Sequence, residues 1–240
     1  MKKTDVEFKV EDEALRGSLF IPDGSGPFPG VVFYHGRGST RKNYLPMAED
    51  LGKKGIMALV FDFRGCGESD GEFKDKTNRM GIDDAKAGLQ FLLGQDIDKK
   101  RIGIQGTSFG AYVTGMLLND PQSQFIRSIV LRVPAALSDD QLDFSLSIEE
   151  EENFFAKKEN WINTSAYNGF VQFKGSLLVI RSEKDQLLPE ESVNKYYDVA
   201  VKAKERKLYV QKNAGHSLSD NTEARREFNR ITVNWFLETL

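Results

Sequence analysis

Short apolar runs alternate with amphipathic stretches along most of this chain. Residues 30–34, 55–63, 101–105, 128–133, 176–180 and 207–211 are apolar runs rich in Val, Ile, Leu and aromatic side chains, the pattern of strands, several of them fit for burial on both faces. Residues 43–54, 78–93, 111–119, 189–204 and 222–240 read as helices. In 78–93, Asp83 and Asp84 come early while Leu89, Phe91 and Leu92 fall at core spacing. Two further strands, near 5–10 and 15–21, open the chain as an edge hairpin, before the loop Pro22-Asp23-Gly24-Ser25-Gly26-Pro27. Repeated strand–helix units predict an α/β fold: a mostly parallel, eight-stranded sheet flanked by helices on both faces.

One stretch breaks the rhythm. Residues 134–174 carry no clear strand–helix unit but hold Phe144, Phe154, Phe155, Trp161, Tyr167, Phe170 and Phe173, with an acidic run from Glu149 to Glu152. An insertion after the sixth strand lies over the edge where open α/β sheets bind ligands. The expectation is one domain, 1–240, with a small cap at 134–174; a pair of ordinary helices packed on an edge is the plainer reading. The acidic run reads as a solvated helix face.

A chain of 240 residues with 40% hydrophobic content and 17 Phe buries a sizeable core and is not disordered. Its net charge of −3 gives no footing for nucleic acid or a polybasic membrane surface. Cys66 is the single cysteine, so no intrachain disulfide or cysteine-rich metal site forms. The opening Met1-Lys2-Lys3-Thr4-Asp5-Val6-Glu7 has charges where a signal peptide needs an apolar core. No apolar run approaches the ~18 residues of a membrane span. A soluble, cytoplasmic protein is expected.

The chemistry concentrates at Gly106-Thr107-Ser108-Phe109-Gly110, between the strand 101–105 and the helix 111–119. A G-x-S-x-G in that setting is a sharp turn that lifts the serine above the sheet, with glycines relieving the crowding around it. Ser108 is the candidate nucleophile, and the N–H of Phe109, at the helix start, points toward a reacting carbonyl. A base must stand beside it. Of two histidines, His216 lies past a late strand in Asn213-Ala214-Gly215-His216-Ser217, where a general base belongs. Asp185, just after the strand 176–180, is the favoured acid to hold the tautomer of His216, with Asp139, Asp140 and Glu183 as competitors.

His35-Gly36-Arg37-Gly38 follows an early strand and offers the Arg37 backbone N–H as second oxyanion donor beside that of Phe109. The Arg37 side chain is expected in solvent, with an anionic substrate group as the other reading, and His35 is expected to order the loop by hydrogen bonding. No ligand set accompanies His35, so neither a metal nor a cofactor is expected. In Asp62-Phe63-Arg64-Gly65-Cys66-Gly67-Glu68-Ser69-Asp70-Gly71 three glycines permit tight turns and the charges are read as pairing with one another; no G-K-[ST] makes it a phosphate loop. Cys66 is a poor nucleophile candidate, since no histidine belongs to it by pattern. Arg132, inside an apolar strand, is expected to pair with a carboxylate or, less simply, to face the pocket.

The order Ser108, Asp185, His216 is that of the serine α/β-hydrolases. With the H-G-x-G loop at His35–Gly38, the run Asp62–Gly71, the elbow, the D-x-x-x-P at Asp185–Pro189 and the G-H-S at Gly215–Ser217, nearly the whole chain resembles that superfamily. It is most similar to small cytosolic esterases of the dienelactone-hydrolase-like and cinnamoyl (feruloyl) esterase type. It departs from them in Arg181-Ser182-Glu183-Lys184 before the acid, and in Phe109 after the nucleophile. The resemblance implies a serine esterase and an acyl pocket formed by the insertion; the phenylalanines suggest small to medium, apolar or aromatic acyl groups. The expected partner is a small-molecule ester, and a homodimer stays open. Thioester or aminoacyl-amide cleavage by the same triad is the alternative, although an oligopeptidase is expected to carry a large N-terminal propeller not seen here. A non-catalytic binding protein of the same fold is the third.

Overall fold

The computed structural model describes residues 1–145 and 150–240. Glu149, the first residue of the acidic run, lies outside them. The opening hairpin forms as expected: β1 (Lys2–Val10) and β2 (Glu13–Ile21) pair antiparallel in a register running from Lys2↔Ile21 to Val10↔Glu13. The chain reverses through Glu11 and Asp12, with Glu11 at φ 54°. β2 pairs antiparallel with β4 (Met57–Phe61), and from β4 onward every pairing is parallel. The eight strands lie in the order β1-β2-β4-β3-β5-β6-β7-β8, where β3 is Phe28–Tyr34, β5 Ile97–Thr107, β6 Ile126–Arg132, β7 Ser176–Ser182 and β8 Glu205–Gln211.

Successive side chains of a strand point to opposite faces, and here both faces are covered. Val32, Ile104, Ile129 and Val179 pack toward α2 (Asn78–Leu93), α3 (Phe109–Leu118) and α7 (Glu190–Val199). Val31, Phe33, Val130 and Ile180 pack toward α1 (Leu45–Lys53) and α8 (Thr222–Thr239). Strand boundaries differ from the apolar runs where side chains are polar or the backbone turns. β5 begins at Ile97, with Lys99 and Lys100 exposed, ahead of the apolar run. β4 is shorter than its run because Gly55 at φ 89° still belongs to the turn after α1, and Phe63 belongs to the loop that follows.

Between β6 and β7 the described residues form α4 (Glu151–Phe155), α5 (Glu159–Ile162) and α6 (Ser165–Val171) and no strand. α6 lies close against α3, because Gly115 and Gly169 bring the two backbones together; a Cβ on either would run into the other helix. Phe155, Trp161, Tyr167, Phe170 and Phe173 are buried in the core on the α3 side, and the rings of Tyr167 and Phe170 meet that of Tyr196 edge-on at 4.8 and 5.4 Å. The segment before α4 rests on the start of α2, where Arg79 N–H donates to the Leu142 carbonyl (2.8 Å) and Asn78 Nδ2 to that of Gln141 (2.7 Å).

Candidate active site

The elbow is as tight as its glycines imply. A Cβ on Gly106 would lie 2.6 Å from the Gly110 carbonyl oxygen, and one on Gly110 would collide with the Tyr34 carbonyl. Ser108 sits at the turn with φ 51° and ψ −114°. This is a sparsely populated conformation for a residue with a side chain, costing on the order of 1–3 kcal/mol. Neighbouring strand ends hold it: Ser108 N–H donates to the Arg132 carbonyl (2.9 Å), and its own carbonyl accepts from Ala135 N–H (3.2 Å).

The loops after β7 and β8 bring the other two residues to it. His216 Nε2 lies 3.1 Å from Ser108 Oγ, and His216 Nδ1 lies 2.9 Å from Asp185 Oδ2. Asp185 Oδ1 also accepts the N–H groups of Leu187 (2.9 Å) and Leu188 (3.1 Å). Burial pushes the Asp185 carboxyl up, but the hydrogen bond and charge of His216 together with those two amides outweigh it and hold the group below its ordinary value. Two of the competing acids are engaged elsewhere. Asp139 receives Ser165 N–H (2.7 Å) and Ser165 Oγ–H (2.6 Å) at the start of α6. Glu183 receives Asn213 N–H (2.8 Å) and the Lys212 ammonium (2.8 Å). A buried carboxylate, an imidazole and a hydroxyl in line can pass one proton from Ser108 to His216 with the resulting charge balanced.

The His35–Gly38 loop closes against Ser108: a Cβ on Gly36 would lie 3.4 Å from that of Ser108. The turn is closed by Ser39 N–H donating to the Gly36 carbonyl (3.1 Å), which does not engage the Arg37 N–H. Phe109 is the first residue of α3, so its N–H has no intrahelical acceptor. His35 orders the loop, accepting Phe63 N–H at Nε2 (3.0 Å) while Nδ1–H donates to the Gly36 carbonyl (2.7 Å). Burial first, then the nearby Lys76 ammonium, push its pKa down to about 3.

The profile of the prolyl oligopeptidase family matches residues 31–240. The chain belongs to that family. The uncharacterized 31.7 kDa protein of the traX-finO intergenic region of Escherichia coli is 26% identical over 205 residues, which are 84% of this chain and 70% of that protein. The solved esterase Pf2001 of Pyrococcus furiosus is 25% identical with a TM-score of 0.72, covering 99% of this chain and 91% of its own. Est1E of Butyrivibrio proteoclasticus, solved with ferulic acid bound, shares the fold at a TM-score of 0.75 and 17% identity, over 97% of this chain and 98% of its own. The chain is therefore an α/β-hydrolase of the serine superfamily, with esterase-like relatives.

A cavity of about 320 Å³ opens at Ser108 and His216 and runs toward α8, past Thr107, Arg132, Phe228 and Asn229. Two arginines of this hydrolase lie other than expected. The Arg37 side chain is buried rather than in solvent: it donates to Asn78 Oδ1 (2.6 Å), pairs with Glu151 (3.3 Å) and covers the Phe109 ring at 4.6 Å. Arg132 pairs with no carboxylate among the described residues. Its guanidinium donates to the carbonyls of His216 (2.8 Å) and Gly215 (2.9 Å) and to Ser182 Oγ (3.0 Å). The cause is register: Arg132 stands opposite Thr107 and Ile180 at the strand ends, beside the loop that carries His216. Burial pushes its pKa down to about 10.

Of residues 134–174, Glu151 alone lines this cavity among the described residues. Phe155, Trp161, Tyr167, Phe170 and Phe173 pack into the core on the side of α3 and α7 instead, where α6 docks through its glycine, while Phe144 is exposed and stacks on Phe154. Charges of the Asp62–Gly71 loop pair mostly outside the loop. Asp62 meets Arg41, Arg64 meets Asp84 (2.6 Å), and Asp70 meets Arg16 (2.7 Å). Behind the elbow, Lys76 is buried with its ammonium 3.9 Å from Cys66 Sγ and 4.4 Å from the centre of the Phe63 ring. Burial pushes the Cys66 thiol up and the Lys76 amine down to about 8. Among the described residues no three His, Cys, Asp or Glu side chains gather in an arrangement for a metal ion, and no helix is long and apolar enough to cross a membrane.

Proposed function

We propose that this hydrolase is a serine carboxylesterase. Ser108 Oγ attacks the ester carbonyl as His216 Nε2 takes its proton, and Asp185 accepts the Nδ1–H and balances the imidazolium. The oxyanion receives the N–H groups of Arg37 and Phe109. Collapse expels the alcohol with the proton from His216; water, deprotonated by the same histidine, then releases the acid from the acyl-enzyme. The observation that carries this reading is the hydrogen-bonded line from Ser108 Oγ to His216 (3.1 Å) and on to Asp185 (2.9 Å), at a strained elbow. In this reading 1–240 is one domain and 134–174 its cap, supported by the reach of Glu151 into the cavity. A cavity of about 320 Å³ suits small to medium groups. Its arginines and hydroxyls move the expected preference away from purely apolar acyl chains.

Wild type and Ser108→Ala should be compared on p-nitrophenyl acetate, butyrate, octanoate and a methyl hydroxycinnamate, with fluorophosphonate labelling in parallel. Turnover and labelling that vanish in the variant support the esterase, and the profile sizes the pocket. Wild type that neither labels nor turns over overturns it. The family's name favours a second reading, cleavage of an aminoacyl amide by the same residues; aminoacyl p-nitroanilides in the same series decide between them.

A further inference from the structure

The buried arginines of this protein fall into two kinds. Arg41 is paired with Asp62 and Glu68, and Arg64 with Asp84, Glu13 and Glu11; the buried side chain of Arg37 meets Glu151. Arg132, 3% exposed, meets only neutral groups among the described residues: the carbonyls of Gly215 and His216, the Ser182 hydroxyl and, at 5.5 Å, the Phe228 ring; its Nε has no hydrogen-bond partner there. A second cation, partly exposed to solvent, lines the same cavity. Arg225 donates to the carbonyls of Leu218 (2.8 Å) and Ser219 (2.6 Å) and makes no ion pair among the described residues.

A guanidinium withdrawn from water without a counter-charge is costly. Carbonyl and hydroxyl partners engage the terminal N–H groups of Arg132 but leave its charge and its Nε–H unmatched. Among the described residues the cavity therefore holds Arg37, Arg132 and Arg225 against one carboxylate, Glu151, which Arg37 engages. Asp185 is near enough to Arg132 to act on it through charge, yet it is hydrogen-bonded to His216 and two amides. A ligand anion lodged there would supply the missing charge beside a buried guanidinium, where a charge-assisted contact is strong.

We infer that the cavity between Ser108 and α8 is a carboxylate subsite, and that this enzyme's substrates are esters bearing a second, ionised carboxyl group recognised by Arg132 and Arg225. The inference rests on the esterase reading and names its substrate class. The reaction remains hydrolysis: the half-ester anion and water give the dicarboxylate, the alcohol and one proton. Arg132 has two tasks in this account, binding the anion and holding the His216 loop through its carbonyls, so a drop in activity alone would not separate them.

The test is a ratio. Monomethyl and dimethyl glutarate place the charge on the acyl side; 4-acetoxybenzoate and its methyl ester, followed by acetate release, place it on the leaving group. Wild type should prefer the anionic member of at least one pair by roughly tenfold or more in kcat/KM. The preference should shrink with added salt and shrink several-fold in Arg132→Gln and in Arg225→Gln. Each variant is compared with itself on two substrates, so a general loss from a loosened His216 loop cancels. Hydrolysis of the neutral esters with no preference for charge, or a preference unchanged in both variants, overturns the subsite and leaves the esterase standing. If no ester is turned over, calorimetric binding of glutarate and 4-hydroxybenzoate to the Ser108→Ala protein decides. Binding that weakens in Ser108→Ala/Arg132→Gln supports the subsite without the esterase; no binding overturns both.

Discussion

Arg37 Nε lies 3.3 Å from Glu151 Oε1, with the two side chains 4% and 14% exposed. The pair joins the loop after β3, which offers a proposed oxyanion donor, to the first helix of the 134–174 stretch. Burial raises the Glu151 carboxyl and Arg37 draws it back. Glu151→Gln leaves a buried guanidinium without its carboxylate, with Asn78 and the Phe109 ring as its remaining side-chain partners among the described residues. The expected outcome is a stability loss on the order of 1–3 kcal/mol, below that of a fully buried pair because α4 can yield. With it should come a lower kcat, as the loop is held less firmly. Urea unfolding and steady-state kinetics check both, and an unchanged kcat would show that α4 does not position the loop.

Asp185 is the acid that faces His216. Asp185→Asn should lower kcat on p-nitrophenyl butyrate by about 10⁴, because an amide stabilises the wrong imidazole tautomer. Asp139→Asn and Glu183→Gln should stay within a few-fold of wild type. A larger loss in either would reassign the acid.

His35 sets an acid limit on stability. Its folded pKa of about 3 lies below the ordinary 6.5, so in acid the unfolded chain takes a proton that the buried ring refuses. Stability is full above 6.5 and falls below it by up to about 1.4 kcal/mol per pH unit until the ring titrates near 3. His35→Asn should be less stable near pH 7, where two hydrogen bonds are perturbed, but its stability should fall less steeply from pH 6.5 to 4.5. Parallel slopes in urea titrations would remove His35 as the cause.

Lys76 acts at the other end of the scale. Its folded value of about 8 against an ordinary 10.5 means the buried ammonium destabilises the fold below pH 8. That cost is relieved as pH rises from 8 to 10.5. Lys76→Met should therefore stabilise the protein at pH 7, by about 2–3 kcal/mol if the thioether fills the same space. It should also flatten the rise between pH 8 and 10. Thermal melts across that range check it.

The hydrogen-bonded grouping of Ser108, His216 and Asp185 was readable because its cues are local. Gly106 and Gly110 state a backbone need, and Asp185 and His216 each follow an apolar strand closely enough to fall on the same sheet edge. The partners of Arg37 and Arg132 were not readable. They depend on which way a long side chain turns once α4, α8 and the His216 loop have docked, and nothing near them in the chain encodes that. The aromatic residues of 134–174 misled for a related reason. Helices of four to seven residues are too short for periodicity to reveal their inward face, so a core-forming set of rings looked like a pocket lining.

The loops that carry Asp185 and His216 are stitched together. Glu183 N–H donates to the Gln211 carbonyl (2.9 Å) and Lys184 N–H to that of Ala214 (2.8 Å), while Arg132 grips the carbonyls of Gly215 and His216. Although β8 is an edge strand, its end next to His216 is riveted to β7 and β6. Warming can fray the far edge, β1 with its exposed outer face, without disturbing the line from Ser108 to Asp185. Heat inactivation of this hydrolase should then be a single event, with activity persisting until the sheet itself gives way.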